Sequence, residues 1–218
     1  MHPYDPPTDP WLSVIHQDRD LLVVDKPSGL LSIPGRDPSL QDSALTRALR
    51  DHPHAWAVHR LDRDTSGVLI LALRRAAERH LQAQFADRTV QKRYRARVWG
   101  QPPPEGVIDL PIARIGGNPP INAVDHENGL PAHTRFRVVR RGPDTADVDL
   151  FPTTGRSHQL RVHLCAIGHP IVGDPIYGPL TLPAAPRLLL HAHWLRCKHP
   201  YSEVALELEA ALPPELTL

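Results

Sequence analysis

The stretch AWAVHRLDRDTSGVLILALRRAAERHLQAQFADRTVQKRYRARV, residues 55–98, decides the architecture. Within it, residues 67–73 are almost all apolar and rich in Val, Leu and Ile, the pattern of a buried strand. Residues 74–88 follow with Ala77, Leu81 and Phe85 four apart, which is a helical period. Residues 92–98 alternate, with Tyr94, Ala96 and Val98 on one face and Arg93, Arg95 and Arg97 on the other. That predicts a half-buried strand showing its arginines to solvent or to a ligand.

Working outward, residues 21–24 form a short apolar strand ended by a turn at Lys26-Pro27-Ser28-Gly29. Asp42 or Ser43 is placed to cap a helix running to Leu49. Downstream, residues 101–106 are Pro-rich and read as a connector, and residues 111–129 as a long loop or hairpin. Strands are predicted over 134–139, 147–151, 188–192 and 204–208, and a helix over 157–167 with Gly168 suited to ending it. Strands dominate and the helices do not alternate regularly with them. The expected class is therefore α+β, a largely antiparallel mixed sheet with flanking helices and loops. Residues 1–20 read as an N-terminal extension whose first ten are unstructured, and 21–218 as a single domain.

The chain has 218 residues, 41% hydrophobic and 22% charged, which excludes a disordered chain as the default. Two cysteines, Cys165 and Cys197, permit one disulfide but no zinc spacing, and no metal site is expected. The first residues, MHPYDPPTDP, lack the apolar core of a signal peptide, and no apolar run is long enough to span a bilayer. A reducing cytoplasm is the simplest location. Net charge is only +1, yet residues 60–97 carry ten Arg or Lys against four acids, and both ends of the chain are acidic. Such a stripe suits a phosphate-backbone partner, and equally a solvated face.

Polar side chains gather in three places. The first is His59-Arg60-Leu61-Asp62-Arg63-Asp64-Thr65-Ser66-Gly67, a charged loop between two apolar stretches, where a rigid scaffold can display catalytic groups. The second is Thr154-Gly155-Arg156-Ser157-His158-Gln159-Leu160-Arg161-Val162-His163, at the start of a predicted helix on which His158 and Arg161 can share a face. The third is Gly173-Asp174-Pro175-Ile176-Tyr177-Gly178, which is turn chemistry. No GxSxG, GxxxxGK[ST] or GxGxxG is present, so nucleophile-elbow and nucleotide-binding chemistries have no support.

HRLDRDTSG at 59–67 resembles the catalytic motif of the RluA-type pseudouridine synthases. VVDKPSGL at 23–30, Lys92-Arg93-Tyr94, GRSHQLRVH at 155–163, GHPIVGDPIYG at 168–178, LHA at 190–192 and HP at 199–200 follow in the family's order. Within the family the similarity is strongest to its small members that act on tRNA and 23S rRNA, through PPxxPWL, SGLLSIPGR, ARVWG and PRLLLHA. The chain leaves no room before Leu21 for the S4-type RNA-binding domain of larger members. Asp25 stands where Asn is common in the family.

The resemblance implies an isomerase that converts uridine to pseudouridine in structured RNA, tRNA or rRNA. It implies Asp62 as the catalytic carboxylate, acting as nucleophile or as base. Tyr94 would pack against the flipped uracil, and Arg161 would pair with Asp62. Arg60, Arg63, Lys92, Arg93, Arg156 and His158 would contact RNA, Arg60 by filling the space the base vacates. The reaction has no redox change and no net hydrolysis, so no cofactor, nucleotide or metal is required; a monomer without membrane contact is expected. Two readings from other classes remain open at this stage: a glycosidase using Asp62 and Asp64, and a catalytically silent RNA-binding module.

Overall fold

The structure is a computed structural model, and it describes residues 4–117, 120–178 and 185–217. In chain order the elements are β1 (Ser13–Gln17), β2 (Leu21–Lys26), α1 (Ala44–Ala48), β3 (Trp56–Ala57), β4 (Ser66–Ala72), α2 (Arg75–Ala86), β5 (Gln91–Trp99), β6 (Glu105–Asp109), β7 (Ile112–Gly116), β8 (Ile121–Val124), β9 (His133–Arg141), β10 (Thr145–Pro152), α3 (Gln159–Ala166), β11 (Leu190–Lys198) and β12 (Ala205–Glu209). Many strands and few helices make this an α+β protein, as its residue patterns predict. The chain divides into two compact units. Residues up to Gln91 together with Ala192–Ala211 form the first, and Lys92–His191 with the residues from 212 on form the second.

In the first unit β2 pairs antiparallel with β1 and with β4. All seven residues of β4 are buried, which is why its sequence is a continuous apolar run rather than an alternation. Val23, Val68 and Ile70 pack with Ala77 and Leu81 of α2, and with Leu195 and Leu208 of the antiparallel pair β11–β12. Ser43 caps α1 through a reciprocal box with Thr46: the Thr46 N–H donates to Ser43 Oγ at 3.1 Å, and the Ser43 N–H to Thr46 Oγ1 at 2.8 Å.

In the second unit β10 pairs antiparallel with β5 and with β9, and β9 with β6. Ala96, Val98, Val148 and Leu150 pack with Leu160 and Leu164 of α3. The expected hairpin in 111–129 is the antiparallel pair β7–β8.

Three details differ from the expectations. β1 and β6 replace predicted lead-in and connector. The helix predicted over 157–167 begins only at Gln159, because His158 adopts a left-handed φ of 56° and the buried Gln159 side chain turns back to accept from the Arg156 N–H at 3.0 Å. Two of the three arginines on the β5 face are engaged within the protein. Arg95 Nε donates to Asp149 at 2.8 Å and Arg97 Nε to Asp147 at 2.6 Å, both acids being buried on β10. Arg140 from β9 also reaches Asp147, at 2.7 Å.

Candidate active site

The loop 59–67 belongs to the first unit and joins β3 to β4. Its start is fixed by His59, whose Nε2 accepts from the Ile70 N–H at 3.0 Å and whose ring stacks on Phe85 at 4.7 Å. Its end is fixed by Gly67, which has φ +111°; a Cβ there would lie 2.3 Å from the Ala192 carbonyl, so only glycine fits.

Between these ends the backbone on both sides of Asp62 is held by the turn that follows β2. Ser32 Oγ donates to Leu61 O at 2.8 Å and accepts from Leu61 N at 3.0 Å. The Gly29 N–H donates to Arg63 O at 2.9 Å, and Ser28 Oγ to Asp64 O at 2.7 Å. Lys26 is fully buried, and its ammonium donates to the carbonyls of Pro27, Leu30 and Arg63 at 2.8, 2.7 and 2.9 Å. Three ammonium donors meeting three carbonyls is the arrangement that makes a buried lysine tolerable. This use of the Lys-Pro-Ser-Gly stretch is not legible in the sequence, where it reads only as the turn that ends a strand. Asp62 itself is partly exposed and sits on this braced backbone. Arg60 and Arg63 are exposed, and Arg63 lies 2.8 Å from Asp64.

The remaining predicted site residues belong to the second unit. Lys92, Arg93 and Tyr94 are partly buried on β5. Lys92 Nζ donates to Thr154 O at 3.3 Å, and burial pushes its pKa down. Arg156 donates from Nε to Pro131 O at 3.1 Å. His158 and Arg161 converge on Tyr177. His158 Nδ1 is 2.8 Å from the Tyr177 hydroxyl, and the Arg161 guanidinium lies 5.1 Å from the ring centroid.

Arg161 is 2% exposed and forks onto Asp174, with Nε at 2.7 Å and Nη2 at 2.8 Å from its two oxygens. Burial alone would raise the Asp174 pKa. The Arg161 fork and the N–H groups of Tyr177 and Ile176 outweigh it and hold the carboxyl below its ordinary value. Asp174 is thus the ion-pair partner of Arg161, which reading the sequence left among turn residues. Its only sequence signal was its place in GDPIYG.

One set of described residues, Asp18, Asp20 and His199, brings potential metal ligands within 4.8 Å of one another. Asp18 is already engaged, by the N–H groups of Asp20 and Leu21 on Oδ1, and by His16 and His199 on Oδ2. The cluster reads as a polar staple between turns of the first unit.

The braced loop of the first unit carries the motif that already outlined a class of enzyme. Residues 20–166 match the family model described as RNA pseudouridylate synthase, and the chain belongs to that family; it is an RNA pseudouridine synthase. Among particular proteins, it is 53% identical over 203 residues to the dual-specificity RNA pseudouridine synthase RluA of Salmonella typhi, covering 92% of this chain and 93% of that one. It is 44% identical over 214 residues to the protein of the same name from Pasteurella multocida, covering 97% of each. Among solved structures, human RNA pseudouridylate synthase domain containing 1 superposes with a TM-score of 0.78 at 32% identity, covering 98% of this chain and 89% of that one.

Proposed function

We propose that this chain isomerises uridines of structured RNA, in a tRNA anticodon stem-loop and in 23S rRNA, with Asp62 as the catalytic carboxylate and both units serving one catalytic domain. The observation that carries the reading is the bracing of residues 61, 63 and 64 by Lys26, Ser28, Gly29 and Ser32. That bracing fixes the backbone on either side of Asp62, as a reacting group needs.

The chemistry breaks the uracil N1–C1′ bond and forms C5–C1′. C5 loses its proton to solvent and N1 gains one, so nothing is oxidised and no water is consumed. A carboxylate near C1′ can attack it or stabilise its oxocarbenium character, as in glycosidases. The target base must leave its stack to reach Asp62. Arg60, exposed two residues from Asp62, can occupy the vacated space. Tyr94 would lie against the base and Arg161 would pair with Asp62; both roles rest on the family resemblance. Arg63, Lys92, Arg93, Arg156 and His158 are assigned to RNA contacts. The reaction calls for no cofactor, and a cytoplasmic monomer is the setting proposed.

RNA labelled with [5-³H]uridine tests the reading: turnover should release tritium without free uracil. Free uracil would show a glycosidase instead, and RNA binding with no tritium release a silent binding module.

The charge stripe makes a second expectation. Of its ten basic residues, Arg63, Arg74, Arg75, Arg95 and Arg97 are already in ion pairs. If each of the other five meets a phosphate, at roughly −0.7 to −0.9 per contact the log–log salt slope of RNA affinity should be about −3.5 to −4.5 from this stripe, well short of a ten-contact value. An affinity independent of salt would reduce the whole stripe to a solvated face.

A further inference from the structure

The N-terminal residues 4–11, which contain the PPxxPW stretch, have no place in the chemistry above. They are nonetheless tied down. The Tyr4 hydroxyl donates to Asp42 O at 2.7 Å and accepts from the Leu31 N–H at 2.9 Å. Pro7 Cδ lies 3.5 Å from the point where a Cβ on Gly29 would stand. The Trp11 ring meets two guanidinium groups, Arg47 at 4.3 Å and Arg50 at 4.2 Å, and its carbonyl accepts from Arg47 Nη1 at 2.8 Å. Arg47 is 1% exposed and forks onto the Asp42 carboxylate at 2.8 and 2.7 Å. Tyr4, Asp42, Arg47 and Trp11 therefore close a ring that anchors both ends of the segment on the start of α1.

The segment touches Gly29, which braces the catalytic loop, and Leu31, which sits in the same turn between bracing residues. Leu31, held by Tyr4, lies between Gly29 and Leu30 on one side and Ser32 on the other. Gly29 holds Arg63 O, Leu30 O shares the Lys26 ammonium with Arg63 O, and Ser32 holds both backbone groups of Leu61. Leu31 O in turn accepts from the Ala44 N–H at 2.8 Å, and Ser32 O from the Leu45 N–H at 3.1 Å, so the brace is pinned from the α1 side as well.

We propose that residues 4–11 form a positioning strap for Asp62, with Tyr4 as the positioning residue: its hydroxyl fixes Leu31 against α1, and the 28–32 turn passes that constraint to the backbone on both sides of Asp62. The proposal rests on Asp62 being the catalytic carboxylate. A displacement of a fraction of an ångström at a reacting group is enough to slow chemistry strongly, while RNA affinity, made mainly by phosphate contacts, is left alone.

Tyr4→Phe keeps the ring and removes the bridging hydroxyl. Its single-turnover rate of pseudouridine formation, at saturating enzyme and well below melting, should fall about tenfold, with RNA affinity within twofold of wild type. Hydrogen exchange at the Leu61 and Thr65 amides should quicken. Ser32→Ala, which cuts the next link, should lower the rate too, and the double variant should be little slower than the slower single, because both changes break one path.

An unchanged rate in Tyr4→Phe, or rate effects that multiply fully in the double variant, would overturn the strap. So would a loss seen only in RNA affinity, which would make the segment an RNA contact. Pro7→Ala, measured in the same way, serves if Tyr4→Phe does not fold; it should also slow the step, and a rate equal to wild type would count against the strap. All of these variants retain Asp62. Failure of the strap is therefore distinct from failure of the Asp62 assignment, which depends on changing Asp62 itself.

Discussion

Asp62→Asn is expected to abolish turnover, by at least ~10³-fold or roughly 4 kcal/mol of barrier, while folding and RNA affinity stay close to wild type. The substitution is nearly isosteric, and the amide can neither attack C1′ nor take a proton. The hydrogen bonds from Lys26, Ser28 and Ser32 run to the backbone of residues 61, 63 and 64, and the substitution leaves those backbone groups in place. The loop should therefore keep its form in the variant, so a lost rate would report on the carboxylate rather than on a collapsed loop. The check is tritium release from [5-³H]uridine RNA under single-turnover conditions, with a filter-binding measurement on the same preparation. Activity within tenfold of wild type would remove Asp62 from the chemistry and leave the braced loop a structural turn.

How much of this was legible beforehand depended on how far apart the interacting residues lie in sequence. β4 and α2 could be read directly, because a seven-residue buried strand and a four-residue apolar period are local patterns. β1 was hidden by its mixed composition, Ser-Val-Ile-His-Gln at the margin of the sheet, and β6 by the prolines that precede it. The β5 alternation was read correctly, but the fate of its arginines was not. Asp147 and Asp149, which neutralise Arg97 and Arg95, come from a strand about fifty residues away.

The candidate site divides in the same manner. Asp62, Tyr94 and Arg161 were named through motifs, but what supports them was not. Lys26 looks like a solvent-facing turn residue because its burial depends on carbonyls at 27, 30 and 63 that converge only after folding. Tyr4 looks like part of a loose lead-in for the same reason. A polar residue whose partners are backbone carbonyls leaves no complementary side chain in the sequence to betray it.

Arg161→Met is expected to destabilise the protein by about 3–5 kcal/mol at neutral pH, because it strands the Asp174 carboxylate in a buried site without its cation. The pH dependence separates this cause from simple loss of packing. In the wild type the Asp174 pKa is depressed by the Arg161 fork, so its contribution to stability is present above the ordinary carboxylate range and is lost as pH falls through the folded value. Without Arg161, burial acts against the ionised form and protonation relieves the strain. The gap between wild type and variant should therefore be widest near pH 7 and narrow below about pH 4. Urea unfolding at the two pH values measures it, and a gap of equal size at both would show that Arg161 matters only as a filler of space. Turnover adds a second readout. If Arg161 also serves Asp62, as the family resemblance implies, single-turnover pseudouridine formation should fall strongly in Arg161→Met protein that is still folded at the assay temperature. Arg161→Lys retains the charge but not the two-pronged fork, so it should recover that rate only in part. A rate equal to wild type in folded Arg161→Met would confine Arg161 to anchoring Asp174 and send the search for a partner serving Asp62 in the reaction to Arg60 or Arg156.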